Sequence, residues 1–167
     1  RIGDVIGGGR AHVGAHQRCG RDLSCLPEQR GGEVEPRHRE SRGIERLLPQ
    51  LAGKLQAKAI RVPTLNVSAI DLTISTQRPV SAHSINALLA DAARGPLKKL
   101  VAYSEAAHAS IDFNHDPHSA IVDGSQTRTA GTHLVNLFVW FDNEWGFANR
   151  MLEVADHWSR LWPQKNN

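Results

Sequence analysis

Hydrophobic and polar residues follow different patterns in two parts of this 167-residue chain, and the change falls near Arg42. Before that point Arg, Gly, His and Pro recur without a period of 2 or 3.6, and the apolar stretch at Asp4-Val5-Ile6 is the longest seed for a strand or helix. Such a segment buries too little apolar surface to offset the entropy of ordering it. We therefore expect residues 1–42 to be irregular or disordered and residues 43–167 to hold the folded part of the chain.

After Arg42 the apolar spacing alternates between helical and extended patterns. Helical spacing predicts three helices, at residues 43–55 with an interruption at Pro49, at 82–93, and at 147–161. Ser81 is a suitable N-cap for the second of these, and Gly95-Pro96 should end it. Alternating or continuous apolar runs predict strands at residues 58–62, 67–74, 100–104, 109–113, 121–122 and 134–141. We expect a turn at Asp123-Gly124 and a break at residues 143–146. Because strands and helices are mixed rather than strictly alternating, an α+β fold is favoured.

Composition narrows the possible classes of protein. The formal net charge is +3, but nine of the arginines lie in residues 1–46 and the rest of the chain is nearly balanced. Since nothing in the pattern places these arginines on a folded face, we expect no nucleic-acid partner. Cys19 and Cys25 are too few for a disulfide framework, and no run of 18 apolar residues or signal-peptide core is present. We expect a soluble protein of the reducing cytoplasm, with no membrane partner.

Three stretches after Arg42 carry a recognisable pattern. They read AIRVPTLNVSAIDLT at residues 59–73, DFNHDPHSAIVDGSQTR at 112–128, and WFDNEWGFANRM at 140–151. In sequence, order and spacing they resemble the glyceraldehyde-3-phosphate dehydrogenase family, and the likeness extends over about residues 43–157. The middle stretch is similar to the erythrose-4-phosphate dehydrogenase branch of that family. Three ordered motifs are far more specific than one short pattern.

The resemblance implies a mixed, largely antiparallel sheet with flanking helices, in a homotetramer. It also implies oxidation of a phosphorylated aldose, erythrose 4-phosphate or glyceraldehyde 3-phosphate, with NAD as the cofactor and a cysteine thiolate as the nucleophile. Residues 43–167 would then form only part of a catalytic domain, without the half that binds most of the cofactor. We expect this chain to be inactive alone. The alternative is a catalytically dead module that assembles with full-length family members.

Two residues are assigned roles on this resemblance. Arg61 matches the family arginine that contacts a substrate phosphate or the attacking anion, a task suited to the fork of donors on a guanidinium. Most arginines are simply exposed, and only the surrounding motif favours a functional interpretation. Asn143 matches the asparagine that binds the nicotinamide carboxamide, because an amide both donates and accepts. It also suits a turn, and both roles are compatible. Phe147 stands where many family members have tyrosine, so no hydroxyl contact is expected there.

No catalytic residue and no metal ligand is assigned. His115, Asp116 and His118 form one local cluster, whereas a catalytic zinc needs three protein ligands with a second shell, so a structural role in a loop is favoured. Cys25 follows a serine as the family nucleophile does, but the text after it does not match. Gly7-Gly8-Gly9 lacks the spacing of a dinucleotide loop, and no partner is evident for the histidines at positions 12, 16 and 38. Residues 1–42 are either out-of-frame text that rejoins the true frame near Gly43 or a genuine replacement N-terminus.

Overall fold

The computed structural model describes the backbone of residues 11–18 and 39–161 and the side chains of residues 43–161. The strands are β1 (Ala11–Arg18), β2 (Leu55–Val62), β3 (Ser68–Ser75), β4 (Val101–Ser104), β5 (Ala120–Ala130) and β6 (Leu134–Phe141). The α-helices are α1 (Arg39–Leu47), α2 (Ala82–Arg94) and α3 (Asn143–Leu161). Short 3-10 helices lie at Pro49–Leu51 and Ser110–Phe113. No helix in the described ranges is long and apolar enough to cross a lipid bilayer.

The described strands form one six-stranded sheet in the order β2-β1-β3-β6-β5-β4. The pairs β1–β2 and β4–β5 are parallel, whereas β1–β3, β3–β6 and β5–β6 are antiparallel. Helices accompany this sheet without the strict alternation of a doubly wound fold, so the predicted α+β class and mixed, largely antiparallel sheet are confirmed. The register places the last residues of β2, the first of β3 and the last of β6 at one end of the sheet.

Apolar side chains are buried on both faces of the sheet because alternate residues of a strand point to opposite sides. On one face Ile85 of α2 packs with Ile74, Val135 and Leu137. The other face buries Val67, Phe113 and Ile121, with the half-buried Trp140 against them. The long apolar run of β6 contributes to both clusters, as a strand covered on its two faces should.

The predicted cap of the second helix is confirmed. Ser84 N–H donates to Ser81 Oγ at 3.1 Å, and Ser81 N–H donates to Ser84 Oγ at 3.0 Å, which completes a reciprocal capping box. The helix ends at Arg94, where Gly95 N–H donates to the carbonyl of Asp91 at 2.9 Å. The helix therefore has its C-cap at Gly95, where the sequence predicted its end.

Five sequence predictions were wrong in detail. The helix predicted at residues 43–55 is instead α1 at Arg39–Leu47, followed by the 3-10 helix at Pro49–Leu51 and the start of β2 at Leu55. Strand β1 was not predicted, because its own residues show no apolar pattern typical of a strand. It is held by backbone pairing with β2 on one side and β3 on the other. The rest of residues 1–38 lies outside the described residues. Residues 109–113 form a 3-10 turn instead of a strand, since the Asp112 carboxylate accepts from Ala109 N–H at 2.8 Å and closes the chain locally.

The other two errors concern a turn and a helix start. Asp123-Gly124 is not a turn but the middle of β5, where the register shifts between Asp123 and Arg128. Gly124 fits there because the Tyr103 side chain lies over it, 2.2 Å from where a Cβ would stand. Helix α3 begins at Asn143, four residues before the predicted start. The expected break at residues 143–146 is therefore the first helical turn.

Candidate functional site

Three separate segments of the chain meet at the carboxylate of Asp142, which directly follows β6 and is 1% exposed. Its Oδ1 accepts from Trp145 N–H at 2.9 Å, and its backbone carbonyl accepts from Gly146 N–H at 2.8 Å, so Asp142 is the N-cap of α3. Its Oδ2 accepts from His115 N–H at 2.9 Å and from Asn66 Nδ2 at 2.8 Å. One side chain thus ties the β2–β3 connection and the segment after Phe113 to the start of α3.

Backbone strain is concentrated around the same carboxylate. Val67 (φ 67°) and His115 (φ 61°) are the non-glycine residues with positive φ among those the structure describes. A left-handed conformation costs about 1–2 kcal/mol for an ordinary residue and is least suited to a β-branched one. Val67 directly follows Asn66, and both Asn66 and His115 donate to Asp142. The Asp142 hydrogen bonds therefore help to hold two strained residues, a combination that is frequent at functional sites.

The charge of Asp142 is maintained by its neighbours. Burial is the largest influence and acts to raise the pKa of the carboxyl. The hydrogen bonds from Trp145 N–H, His115 N–H and the Asn66 side chain, with the charge of His115, outweigh it and hold the pKa below its ordinary value of 3.8. An ionised cap also suits the positive end of a helix dipole. Asp142 is therefore a fixed anion at neutral pH and not a proton donor.

Asn143 lies next to this anchor, at the first position of α3. Its side chain is half-buried, and its Oδ1 accepts from Ser68 Oγ at 3.4 Å, a long hydrogen bond that a better donor would displace. Beside it is a cleft of about 270 Å³ lined by Asn66, His115, Asp142, Glu144 and Trp145. The His115 and Trp145 rings lie 4.9 Å apart within that lining. The sequence neighbours of Asn143 therefore line the cleft, whereas the Asn143 side chain itself contacts Ser68.

Arg61 is the penultimate residue of β2 and is exposed. Its register partner is Gln17 on β1. The next strand is β3, which begins at Ser68, and Ser68 pairs with Phe141 at the end of β6. Three strand spacings of about 4.8 Å separate the backbones of Arg61 and Phe141, roughly 14 Å in all. Arg61 and Asn143 therefore lie at the same end of the sheet.

The remaining candidates stay outside this arrangement. His118 Nδ1 lies 2.7 Å from Asp116 Oδ1 and forms a local pair in the loop before β5. Within residues 43–161 no group of three or more His, Cys, Asp or Glu side chains is placed to hold a metal ion. Phe147 is 66% exposed on α3. Cys25, Gly7-Gly8-Gly9 and His38 lie outside the described residues, as do the side chains of His12 and His16.

Sequence reasoning missed the residues that hold the site in place. Asp142 has a local signal, because an aspartate immediately before a helical pattern is a typical N-cap. That signal was obscured by the prediction that residues 143–146 form a break between the strand at 134–141 and a helix that begins at Phe147. Asn66 has no such signal, since its partner Asp142 is 76 positions away in the sequence. The spacing of polar residues along the chain does not indicate that contact.

Comparison with protein-family models agrees with the motifs. The model described as "Glyceraldehyde 3-phosphate dehydrogenase, C-terminal domain" matches residues 33–143. This is well over half of the 167-residue chain, and it includes both Arg61 and Asn143. The match begins ten positions before Gly43, the expected start of the folded part. The chain therefore belongs to the glyceraldehyde 3-phosphate dehydrogenase family of oxidoreductases, through the C-terminal domain of that family.

Proposed function

We propose that this chain supplies the substrate-phosphate and nicotinamide contacts of an NAD-dependent dehydrogenase that oxidises a phosphorylated aldose. The observation that carries the proposal is the Asp142 junction, which fixes the loop after Arg61 and the helix start at Asn143 in one rigid unit. The substrate is erythrose 4-phosphate, oxidised to 4-phosphoerythronate, or glyceraldehyde 3-phosphate. The stretch at residues 112–128 favours erythrose 4-phosphate, because its text is similar to that branch of the family.

Arg61 is suited to an anion for physical reasons. Its guanidinium is exposed at the outer strand of the described sheet, and it carries a fixed fork of donors that matches two phosphate oxygens. A charge-assisted bidentate contact is roughly twice as strong as a neutral hydrogen bond. We therefore assign Arg61 to the phosphate of the substrate or to the attacking anion.

Asn143 is suited to a carboxamide because its amide can donate and accept at once. Bound NAD would supply the hydride acceptor, and the orientation of its carboxamide decides which face of the ring is presented. Asp142 caps α3 one residue earlier, so the backbone of Asn143 cannot rotate without loss of that cap. The chain's contribution here is orientation of the cofactor.

The proposal includes no nucleophile from this chain. The text around Cys25 does not match the family motif, and no catalytic histidine is assigned. We propose that the isolated chain is inactive and that turnover belongs to a complete enzyme, assembled as a homotetramer. The first test is NAD reduction by the purified chain with erythrose 4-phosphate, and with glyceraldehyde 3-phosphate plus phosphate. The expected result is no turnover, and clear turnover would show that residues 1–42 contain a working thiol.

Binding tests the two assigned residues without any need for turnover. We expect the chain to bind inorganic phosphate and erythrose 4-phosphate in a calorimetric titration, and Arg61→Ala to weaken binding about ten- to a hundredfold, since hydrogen bonds between charged groups contribute about 1.5–3 kcal/mol. The matched control is Arg78→Ala, an exposed arginine near the opposite end of the sheet, just after β3. Equal losses in both variants would mean that any surface arginine suffices, and the assignment of Arg61 would be wrong.

Asn143 is tested with nicotinamide mononucleotide by saturation-transfer NMR. Asn143→Ala is expected to abolish transfer to the nicotinamide ring. Asn149→Ala, on the same helix, is the control because that side chain donates to the carbonyl of Trp145 at 2.9 Å and has no assigned ligand. Unchanged transfer in Asn143→Ala would remove Asn143 from the proposal.

A second candidate function is a catalytically dead module that assembles with full-length family members. The observation in its favour is the exposed apolar side of α3, where Phe147 and Trp158 are 66% and 68% exposed. Co-expression with a full-length member followed by native mass spectrometry tests this candidate. Mixed assemblies would support it, and separate populations of each chain would contradict it.

A further inference from the structure

A serine, a histidine and an aspartate follow one another at the end of β4, away from the Asp142 junction. Ser104 is the last residue of β4, His108 lies in the connection that follows, and Asp112 belongs to the 3-10 helix at Ser110–Phe113. Ser104 Oγ lies 2.7 Å from His108 Nε2, and His108 Nδ1 lies 3.7 Å from Asp112 Oδ2. The order of these contacts is that of a nucleophile, its general base and an acid that faces the base.

The hydrogen bonds around Ser104 indicate where its proton points. Ala106 N–H donates to Ser104 Oγ at 3.2 Å, so the oxygen already accepts one hydrogen bond and can donate its own proton to His108 Nε2. That donation requires a neutral imidazole with its proton on Nδ1, the nitrogen that faces Asp112. An unprotonated Nε2 therefore stands opposite a serine hydroxyl, as general-base activation needs.

Each member of this group is held in place by its own contacts. Ser104 ends a strand whose parallel pairing with β5 continues to that last residue. The His108 ring lies 4.8 Å from the ring of Phe113, which is buried. The Asp112 carboxylate accepts from Ala109 N–H at 2.8 Å. Because 3.7 Å is too long for a hydrogen bond, Asp112 acts through its charge, which stabilises the cation formed when His108 takes the proton.

A cleft of about 490 Å³ lies beside Ser104, and Asn86 and Arg94 of α2 also line it. Asn86 Nδ2 donates to the carbonyl of Gly124 at 2.9 Å, whereas its Oδ1 is buried and has no hydrogen-bond partner among the described residues. A buried acceptor of this kind is uncommon and suits a ligand that brings a donor. Arg94 adds a positive charge, which favours the oxyanion that forms when a carbonyl carbon is attacked.

We propose that Ser104, with His108 as its general base, is the nucleophile of a hydrolytic site that cleaves a small carboxylic ester bound in this cleft. The unpaired Oδ1 of Asn86 selects esters whose acyl part carries a hydroxyl or an amide N–H. The volume of the cleft is in the range of small-molecule sites. This activity is additional to the dehydrogenase role and uses none of the residues assigned to it.

The reaction proceeds in two steps that need no oxidant or reductant. In the first, Ser104 Oγ bonds to the ester carbonyl carbon while its proton passes to His108 Nε2. The bond from that carbon to the alcohol oxygen then breaks, and His108 returns the proton to the leaving alcohol. In the second, water gives a proton to His108 and bonds to the acyl carbon, after which the acid leaves and Ser104 Oγ regains a proton.

Labelling with a fluorophosphonate tests the nucleophile, because this probe bonds to an activated serine oxygen as fluoride leaves. The full chain carries Cys19→Ala and Cys25→Ala in this experiment, so that no thiol competes. Mass spectrometry should place the adduct on Ser104, at a rate at least about a hundredfold above that of Ser159. Ser159 is the internal control, because its exposed hydroxyl donates to the carbonyl of Asp156 at 2.8 Å instead of to an imidazole. Absence of the adduct on Ser104, or equal rates at the two serines, would overturn the proposal.

Variants of the neighbouring groups test how Ser104 is activated. His108→Ala should slow labelling about a hundredfold or more, and added imidazole should restore part of the rate in place of the lost base. The matched control is His83→Ala, which removes an exposed imidazole that lines the same cleft, and it should react as the wild type does. Asp112→Asn keeps an acceptor for Ala109 N–H and should lower the rate constant of the labelling step about two- to fivefold, with the probe affinity unchanged. Equal losses in His108→Ala and His83→Ala, or no loss in either, would show that His108 is not the base.

Two p-nitrophenyl esters, the butyrate and the 3-hydroxybutyrate, test hydrolysis and its selectivity in the same cysteine-free chain. Relative to the rates in buffer, kcat/KM should be about three- to tenfold higher for the ester with the additional hydroxyl, and Asn86→Ala should remove that preference. Ser104→Ala should abolish turnover of both esters. Hydrolysis that Ser104→Ala leaves intact would overturn the hydrolytic site, and the absence of a preference in the wild type would overturn the role of Asn86. None of these measurements uses NAD or a sugar phosphate, so this site and the dehydrogenase role succeed or fail separately.

Discussion

Replacement of Asp142 by Asn separates the two tasks of this carboxylate. An asparagine is also a good N-cap, so Oδ1 can still accept from Trp145 N–H. The second oxygen, however, becomes an NH2 group that faces two other donors, His115 N–H and the Asn66 amide. The substitution therefore preserves the helix cap and removes only the link to the two neighbouring segments.

The magnitude follows from those two lost acceptor contacts. A donor left without an acceptor at a buried site costs about 1–3 kcal/mol, and part of that is offset because a buried charge is no longer needed. Asn66 is half-buried and His115 is exposed, so water partly satisfies them. We expect Asp142→Asn to lower the free energy of unfolding by about 2–4 kcal/mol at pH 7. With a denaturant slope of about 2 kcal/mol per M, the urea midpoint should fall by about 1–2 M.

The assay is urea unfolding followed by tryptophan fluorescence at several pH values. Because the pKa of Asp142 lies below 3.8 in the folded protein, its ionised form contributes stability above about pH 4 and loses that contribution as the pH falls through the folded value. The difference between wild type and Asp142→Asn should therefore be constant from pH 8 to about pH 5 and should shrink below about pH 4.

The control is Asp156→Asn, which removes an exposed carboxylate 2.7 Å from Arg160 on α3. An exposed ion pair contributes little, so a change below about 1 kcal/mol is expected. An Asp142→Asn effect no larger than that control, or one that persists undiminished at pH 3, would refute the idea that this carboxylate joins the three segments.

Two further predictions concern the contact between Tyr103 and β5. The pKa of Tyr103 is raised from 10.0 to about 12 by burial, by a hydrogen bond to Glu105 at 2.5 Å and by the charges of Glu105 and Asp123. The protonated phenol should therefore stabilise the fold fully below pH 10, and this contribution should be lost as the pH rises through 12. Because Tyr103 is the one tyrosine in the sequence, phenolate absorbance reports on it alone. The absorbance should titrate near pH 12 in the folded chain and near pH 10 in urea. A midpoint near pH 10 under both conditions would contradict this prediction. Gly124→Ala would place a Cβ 2.2 Å from Tyr103 Oη and should cost about 1–3 kcal/mol in urea unfolding. Gly43→Ala, within α1 and with no heavy atom within 4 Å, should gain up to about 1 kcal/mol, and equal effects at the two glycines would refute the overlap.

The elements that could be predicted from the sequence are those whose pattern is set locally. The alternation in β3, the continuous apolar run of β6 and the Ser81 cap of α2 each reflect a rule that acts within one element. Strand β1 could not be found in this way, because its place in the sheet comes from hydrogen bonds to two neighbours. The same holds for Asp123-Gly124, a turn dipeptide that is drawn into β5 by pairing with β6 and by the Tyr103 ring. Tertiary context decided both cases against the local preference.

The candidate site likewise has some residues that local sequence indicates and others that only tertiary contacts bring together. Arg61 and Asn143 could be selected only because the motifs around them resemble a family, since an arginine in a strand and an asparagine three residues before a glycine are ordinary by themselves. Their environment was not predictable from spacing. Asp142, Asn66 and His115 meet across sequence separations of 76 and 27 residues, and only the folded sheet brings them together. Arg61 and Asn143 can therefore be selected from their motifs, whereas the contacts around them follow from the topology of the sheet.

Helix α3 is fixed to the sheet near its start. Asp142 caps its first turn, Gly146 lies against the carbonyl of His118, and Arg150 donates to the carbonyl of Lys99 at 3.0 Å, whereas every residue from 151 to 161 is exposed. Because the Asp142 cap and the contact of Arg150 resist a tilt of the helix, the orientation of the Asn143 amide depends on these contacts and not on the exposed end of the helix. Asp142→Asn should accordingly weaken nicotinamide mononucleotide binding, whereas Asp156→Asn, in the exposed part of α3, should leave it unchanged.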